Sequence, residues 1–142
     1  MGTEDCEVLV FDVSGSDFES CGTASESVKR RLRQLGVDAG VARRAAIAMY
    51  EGEINMYIHA GGGKASAAIY DDRVEIILRD SGPGIEDIEL AMTEGFSTAG
   101  EKTHKLGFGA GMGLNNMKKY SDEFKLVSEL GKGTTVFMKV IF

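Results

Sequence analysis

The sequence predicts an α+β fold, a two-layer sandwich with helices on one face of a mixed, mostly antiparallel sheet. Three observations carry this. Five short runs rich in β-branched or alternating apolar residues read as strands. Four stretches with helical spacing of apolar residues read as helices, in the order β-α-α-β-β-α-α-β-β. With 142 residues, 43% of them hydrophobic, the chain is the size of one domain, residues 1–142, and is long enough to bury a core without staples.

Each element has a local reason. Residues 7–13 form a β-branched run and read as the first strand, and Ser14 to Asp17 is turn chemistry. Residues 20–34 suit an amphipathic helix ended by Gly36. Asp38 is the expected N-cap of a second helix running to about His59, with Gly61-Gly62-Gly63 as its stop and Gly52 inside it at about 1 kcal/mol relative to alanine. Residues 65–70 and 73–78 read as a hairpin turning at Asp71-Asp72. After the turn at residues 80–84, residues 85–92 and 114–120 read as helices on either side of a glycine-rich stretch. Residues 123–129 and 134–141 close the fold as a strand pair turning at Gly131-Lys132-Gly133.

Charge and cysteine usage exclude several functions. Sixteen basic against 22 acidic residues give a net charge of −6, a poor basis for binding nucleic acid. The basic cluster Lys29, Arg30, Arg31 and Arg33, with Arg43 and Arg44 nearby, reads first as a solvated helix face, with a docking patch for an acidic partner as the alternative. Cys6 and Cys21 make neither a disulfide framework nor a metal spacing, and no apolar run approaches a membrane span. The expectation is a reduced cytoplasmic protein with no membrane segment.

The 19 glycines are about twice the usual share, and eight of them fall between Gly82 and Gly113. Alternating glycines at Gly107, Gly109, Gly111 and Gly113 allow backbone N–H groups to approach a ligand, and a phosphate is the natural candidate. A mobile loop is the competing reading. Upstream, Glu51 and Asn55 are four apart on one helix and share a face, where a carboxylate and an amide oxygen suit Mg²⁺. His59 continues that face and reads as a packing or capping residue, whereas Glu53 points off it and is expected in solvent. Asp80, at a strand end before Gly82 and Gly84, suits an exocyclic amine such as that of adenine; capping a turn is its simpler role. Thr134 at the last strand's entry is a further candidate base contact. No nucleophilic triad is visible.

Taken in order, Glu51-x-x-x-Asn55, Asp80-x-Gly82-x-Gly84, Gly109-x-Gly111-x-Gly113 and Gly133-Thr134 resemble the four nucleotide-binding boxes of the GHKL ATPases, the Bergerat-fold superfamily. The likeness covers about residues 8–142. Within that superfamily the chain looks like the anti-sigma-factor serine/threonine kinases of bacterial partner-switching systems, nearest to the stressosome switch kinase. Residues 80–85, 94–98, 109–114 and 122–124, with Tyr57 and Ala60-Gly61, carry that likeness. It departs at Ile54, where an arginine is expected, at Tyr50 in place of a serine, and at the longer segment Glu101–Leu106.

The resemblance implies ATP and Mg²⁺ as cofactors. It implies Asn55 as the metal ligand, Glu51 as general base and Asp80 on the adenine amine, with Gly82 and Gly84 beside the ring. Gly109, Gly111, Gly113 and Leu114 would meet the phosphates, Thr134 would support Asp80, and residues 95–110 would form a lid. The implied substrate is a small STAS-type antagonist protein. A sigma factor or downstream phosphatase is a further possible partner, and homodimers occur in the family. A sequestering module with little kinase activity and a detached histidine-kinase catalytic domain are the alternatives.

Overall fold

The computed structural model describes residues 5–84 and 113–142. Strand β1 (Glu7–Ser14) leads through a short 3-10 turn at Phe18–Ser20 into α1 (Thr23–Gln34), then α2 (Ala39–His59), β2 (Gly62–Ile69) and β3 (Arg73–Arg79). Helix α3 (Gly113–Lys119) precedes β4 (Glu123–Glu129) and β5 (Gly133–Ile141). The expected helix at residues 85–92 and the expected lid lie outside the described residues, as do Gly109 and Gly111.

The strand order is β1-β2-β3-β5-β4. All four pairings are antiparallel, where the sequence left room for a mixed sheet. Two helices, not one, lie between β1 and β2. The second returns the chain to the end it left, so that Ser14 pairs with Gly62. Gly62 and Gly63, expected only to stop the helix, therefore open β2, three residues earlier than the apolar pattern suggested.

The strands alternate. Val136, Met138 and Val140 of β5 are buried with Val74, Ile76 and Leu78 of β3, and their neighbours face outward. Against this face pack Val28 and Leu32 of α1, Ala42, Ala45, Ala48 and Met49 of α2, and Met117 of α3. Each large side chain buried in this way contributes about 1.5–3 kcal/mol. The alanine stripe lets α2 lie close to the sheet. Gly52 completes it: a Cβ there would stand 2.2 Å from Leu78 Cδ1. The helix-propensity cost of Gly52 is thus offset by seating Leu78.

The helix ends show which sequence signals act locally. Asp38 caps α2 as expected, its Oδ2 accepting from the N–H groups of Gly40 (2.9 Å) and Val41 (3.3 Å). Helix α1 starts three residues later than its pattern suggested. Its N-cap is Gly22, which has no side chain to offer, and the cap comes from α2. Glu53, expected in solvent, is only 2% exposed, and its two oxygens accept from the N–H groups of Gly22 and Ser25, both at 2.8 Å. A carboxylate at a helix N-terminus is favoured by the helix dipole, and the two bonds offset the cost of burying it. The basic cluster is partly absorbed in the same way. Arg31 pairs with Glu7 through two bonds of 2.7 Å, Arg33 donates to the Val37 carbonyl, and Arg44 pairs with Asp122 at 2.9 Å. No helix among the described residues is long and apolar enough to cross a membrane.

Candidate functional site

Two groups of polar side chains lie along α2, one beside its middle and one beyond its end. Glu51 lies in the middle, half-buried, with Asn55 one turn later and also half-buried. Because α2 is continuous from Ala39 to His59, the expected shared face of the two residues is present. Helix α3 packs on this part of α2, with Leu114 and Met117 sunk into the core. Its polar side meets Glu51: Asn116 Nδ2 donates to Glu51 Oε1 at 3.2 Å. The other oxygen, Oε2, lies 3.7 Å from where a Cβ on Gly113 would be. Burial pushes the Glu51 carboxyl above the ordinary glutamate range, and the Asn116 bond draws it partly back. A half-buried carboxylate raised in this way is a better proton acceptor than a solvated one.

Nine residues beyond Glu51, about 13 Å at 1.5 Å per residue, is Ala60, against which the second group sits. Asp80 follows β3, and its Oδ1 accepts from the N–H groups of Gly82 (3.0 Å) and Thr134 (3.1 Å). The Asp80 N–H in turn donates to the Thr134 carbonyl at 3.0 Å. Among the described residues no donor reaches Oδ2, so the carboxylate keeps one oxygen for a donor from outside. Thr134 thus supports Asp80 through its backbone. Its hydroxyl is buried against Ser128, with Oγ1 and Oγ 2.8 Å apart.

The glycines of this second group have a packing reason. Gly133, at φ +132°, brings β5 so near the end of β3 that a Cβ would stand 2.1 Å from the Asp80 carbonyl oxygen. That approach puts the Thr134 N–H on Asp80. A methyl on Gly82 or Gly84 would strike Ala60 or the Glu129 carbonyl, so a ligand would meet the other side of this backbone.

The residues present fit a magnesium nucleotide. Among the described residues no donor reaches Asp80 Oδ2, and a carboxylate oxygen in that place suits an exocyclic amine. No cluster of three His, Cys, Asp or Glu side chains forms a cage for a metal among the described residues. Asn55 is then a single oxygen donor, which suits a cation such as Mg²⁺ that keeps most of its ligands from water and phosphate. Sequence reasoning missed three residues: Asn116, Ser128 and Glu53. None lies in a glycine motif, and each acts through a contact made only on folding.

Comparison with known proteins identifies the family. The family model described as histidine kinase-, DNA gyrase B- and HSP90-like ATPase matches residues 36–141. The serine/threonine-protein kinase RsbT of Bacillus subtilis is 37% identical over 108 residues, covering 73% of this chain and 75% of the kinase. An anti-sigma F factor of Clostridium kluyveri is 32% identical over 135 residues, covering 92% of this chain and 90% of that protein. The anti-sigma F factor of Caldanaerobacter subterraneus is 38% identical, covering 64% of each chain. A crystal structure of RsbU and RsbW domains from Mycobacterium tuberculosis superimposes with a TM-score of 0.64 at 16% identity. It matches 94% of this chain and 32% of that one, and so supports the fold. The family match and the relatives agree: this chain belongs to the histidine kinase-, DNA gyrase B- and HSP90-like ATPases.

Proposed function

We propose that this protein is an ATP-dependent serine/threonine protein kinase of a partner-switching system, acting in the cytoplasm on a small STAS-type antagonist protein. The observation that carries the reading is the Glu51 carboxylate. It is half-buried, held at one oxygen, and set one helical turn before Asn55. The similarity to a named serine/threonine kinase supports the same reading.

When bound, ATP with Mg²⁺ supplies the phosphoryl group. Asn55 would hold the metal, and Asp80 Oδ2 would accept from the adenine amine. Gly113, with Gly109 and Gly111, would face the phosphates. Glu51 would take the proton of the acceptor hydroxyl as its oxygen bonds to the γ-phosphorus. The bond from that phosphorus to the bridging oxygen breaks, and its electron pair leaves with ADP. Phosphorylation of the antagonist would change which partner the kinase holds, a sigma factor or a downstream phosphatase being the competing ligand. Homodimers occur in the resembling family, and such an assembly is compatible with this reading.

Incubating the protein with γ-labelled ATP and candidate STAS proteins tests this. Acid-stable label on a serine or threonine of the antagonist is the expected result. Nucleotide-dependent complex formation without label would replace the kinase with a sequestering module, and acid-labile label on histidine would replace it with a histidine-kinase catalytic domain.

A further inference from the structure

Building on the reading of Glu51 as proton acceptor, we propose that Asn116 is a positioning residue: its side-chain amide holds one oxygen of the Glu51 carboxylate so that the other is presented beside Gly113. The geometry is specific. Asn116 and Gly113 are three apart on α3 and so lie on neighbouring positions of one face, which meets α2 at Glu51. Asn116 Nδ2 takes Oε1 at 3.2 Å, while Oε2 stands at Gly113, the last glycine of the phosphate-type run. The amide must present its nitrogen here, because an ionised carboxylate only accepts.

The mount is rigid. Leu114 and Met117, flanking this face, are 7% and 0% exposed, and the Asn116 carbonyl accepts the N–H of Tyr120, the residue after the helix. Glutamate has a long side chain whose ordering costs conformational entropy. A fixed donor on a neighbouring helix removes that freedom from the carboxylate before any ligand arrives, which is how a folded site holds a reacting group near productive geometry. The donor is neutral. A lysine or arginine at position 116 would hold the oxygen as well, but its charge would depress the basicity that proton transfer needs.

Two measurements on the full chain test this. Asn116→Leu keeps the branched shape and the number of heavy atoms and removes the donor. The expected result is a fall in kcat for phosphotransfer of about tenfold or more, with the KM for ATP and the melting temperature close to the parent. A parental kcat, or a loss of kcat matched by a loss of ATP affinity and stability, overturns the inference. The second readout needs neither turnover nor nucleotide. In ¹⁵N-labelled protein the Asn116 side-chain amide resonance, assigned by its absence in Asn116→Leu, is expected to move upfield in Glu51→Gln, where a charged acceptor becomes a neutral one. An unmoved resonance overturns the contact. Failure of the two readings is distinguishable. If Glu51→Gln transfers phosphate at the parental rate, the role of Glu51 as base falls, whereas a dead Glu51→Gln beside a fully active Asn116→Leu removes Asn116 alone.

Discussion

The two ends of the candidate site are built from different materials. At the Asp80 end the carboxylate is held by backbone, by the N–H groups of Gly82 and Thr134, and Gly133 exists to let those strands meet. At the Glu51 end the carboxylate is held by one side chain, Asn116, reaching from another helix. Backbone donors tolerate most substitutions but demand glycine where chains approach closely. A side-chain donor demands one residue type and leaves no trace in spacing. The hold on Asp80 therefore reads as a motif, and the hold on Glu51 does not.

The contrast can be broken most sharply at Glu51. Glu51→Ala should lower phosphotransfer by about 10²–10⁴-fold, the usual worth of a general base. ATP binding and the fold should remain, because Glu51 acts on the acceptor hydroxyl, while Asn55, Gly113 and the Asp80 end would hold the nucleotide. Steady-state phosphotransfer beside calorimetric ATP binding checks this, and full transfer removes Glu51 from the mechanism.

Asp80→Asn should do the reverse. The amide oxygen can keep both backbone N–H donors, but the nitrogen then faces the ligand's amine, donor against donor. ATP affinity should fall by about 30–100-fold, equivalent to roughly 2–3 kcal/mol for a charged hydrogen bond, with little change in melting temperature. Titration with a fluorescent nucleotide reads it, and unchanged affinity would place the base elsewhere.

Glu53 lies outside both ends and sharpens the comparison by separating stability from chemistry. Glu53→Ala leaves two α1 N–H groups without their carboxylate and should cost about 2–4 kcal/mol. Denaturant unfolding measures this, and a loss below ~0.5 kcal/mol would show that water or another group replaces the cap.

The pH response of the Glu51 end is the next effect in size. Burial raises the folded-state pKa of Glu51 above its unfolded value. Its protonated form therefore contributes stability below the unfolded pKa, and that contribution is lost as pH rises through the raised folded pKa. Glu51→Gln, which stays neutral, should gain stability relative to the parent as pH rises through that window. Paired unfolding curves across the carboxylate range check the sign, and a difference independent of pH would contradict it.

Ser128→Ala at the Asp80 end should be the mildest. It removes the hydroxyl partner of Thr134 but leaves the backbone bonds to Asp80 intact. A loss of about 1 kcal/mol in stability with near-parental ATP affinity is expected. A large loss of affinity would show that the hydroxyl pair, not the backbone, positions Asp80.

Most of the architecture was legible because it rests on local signals. The capping of α2 by Asp38, the hairpin at Asp71-Asp72 and the closing strands follow from side-chain chemistry within a few residues. The placement of Glu51 and Asn55 on one helix face and of Asp80 just after a strand was legible for the same reason, because helical spacing and a strand end are local signals. What could not be read was contact across distance. Gly62 ends one signal and begins another, and only its pairing with Ser14 makes it strand. Glu53 looks like an ordinary solvated charge until α1, which has no cap of its own, is brought against it. Placing β5 between β3 and β4 is likewise a tertiary decision, and it alone delivers the Thr134 N–H to Asp80. By itself the sequence determined the element types, the sandwich and the ordered boxes, because periodicity, capping and glycine placement act through the nearby chain. The tertiary structure alone decided the antiparallel register, the buried Glu53 and the Asn116 hold on Glu51. The last two depend on partners 28 to 65 residues away in the chain, and the register on pairings as distant as Arg73 with Ile141, whose positions exist only once the core has packed.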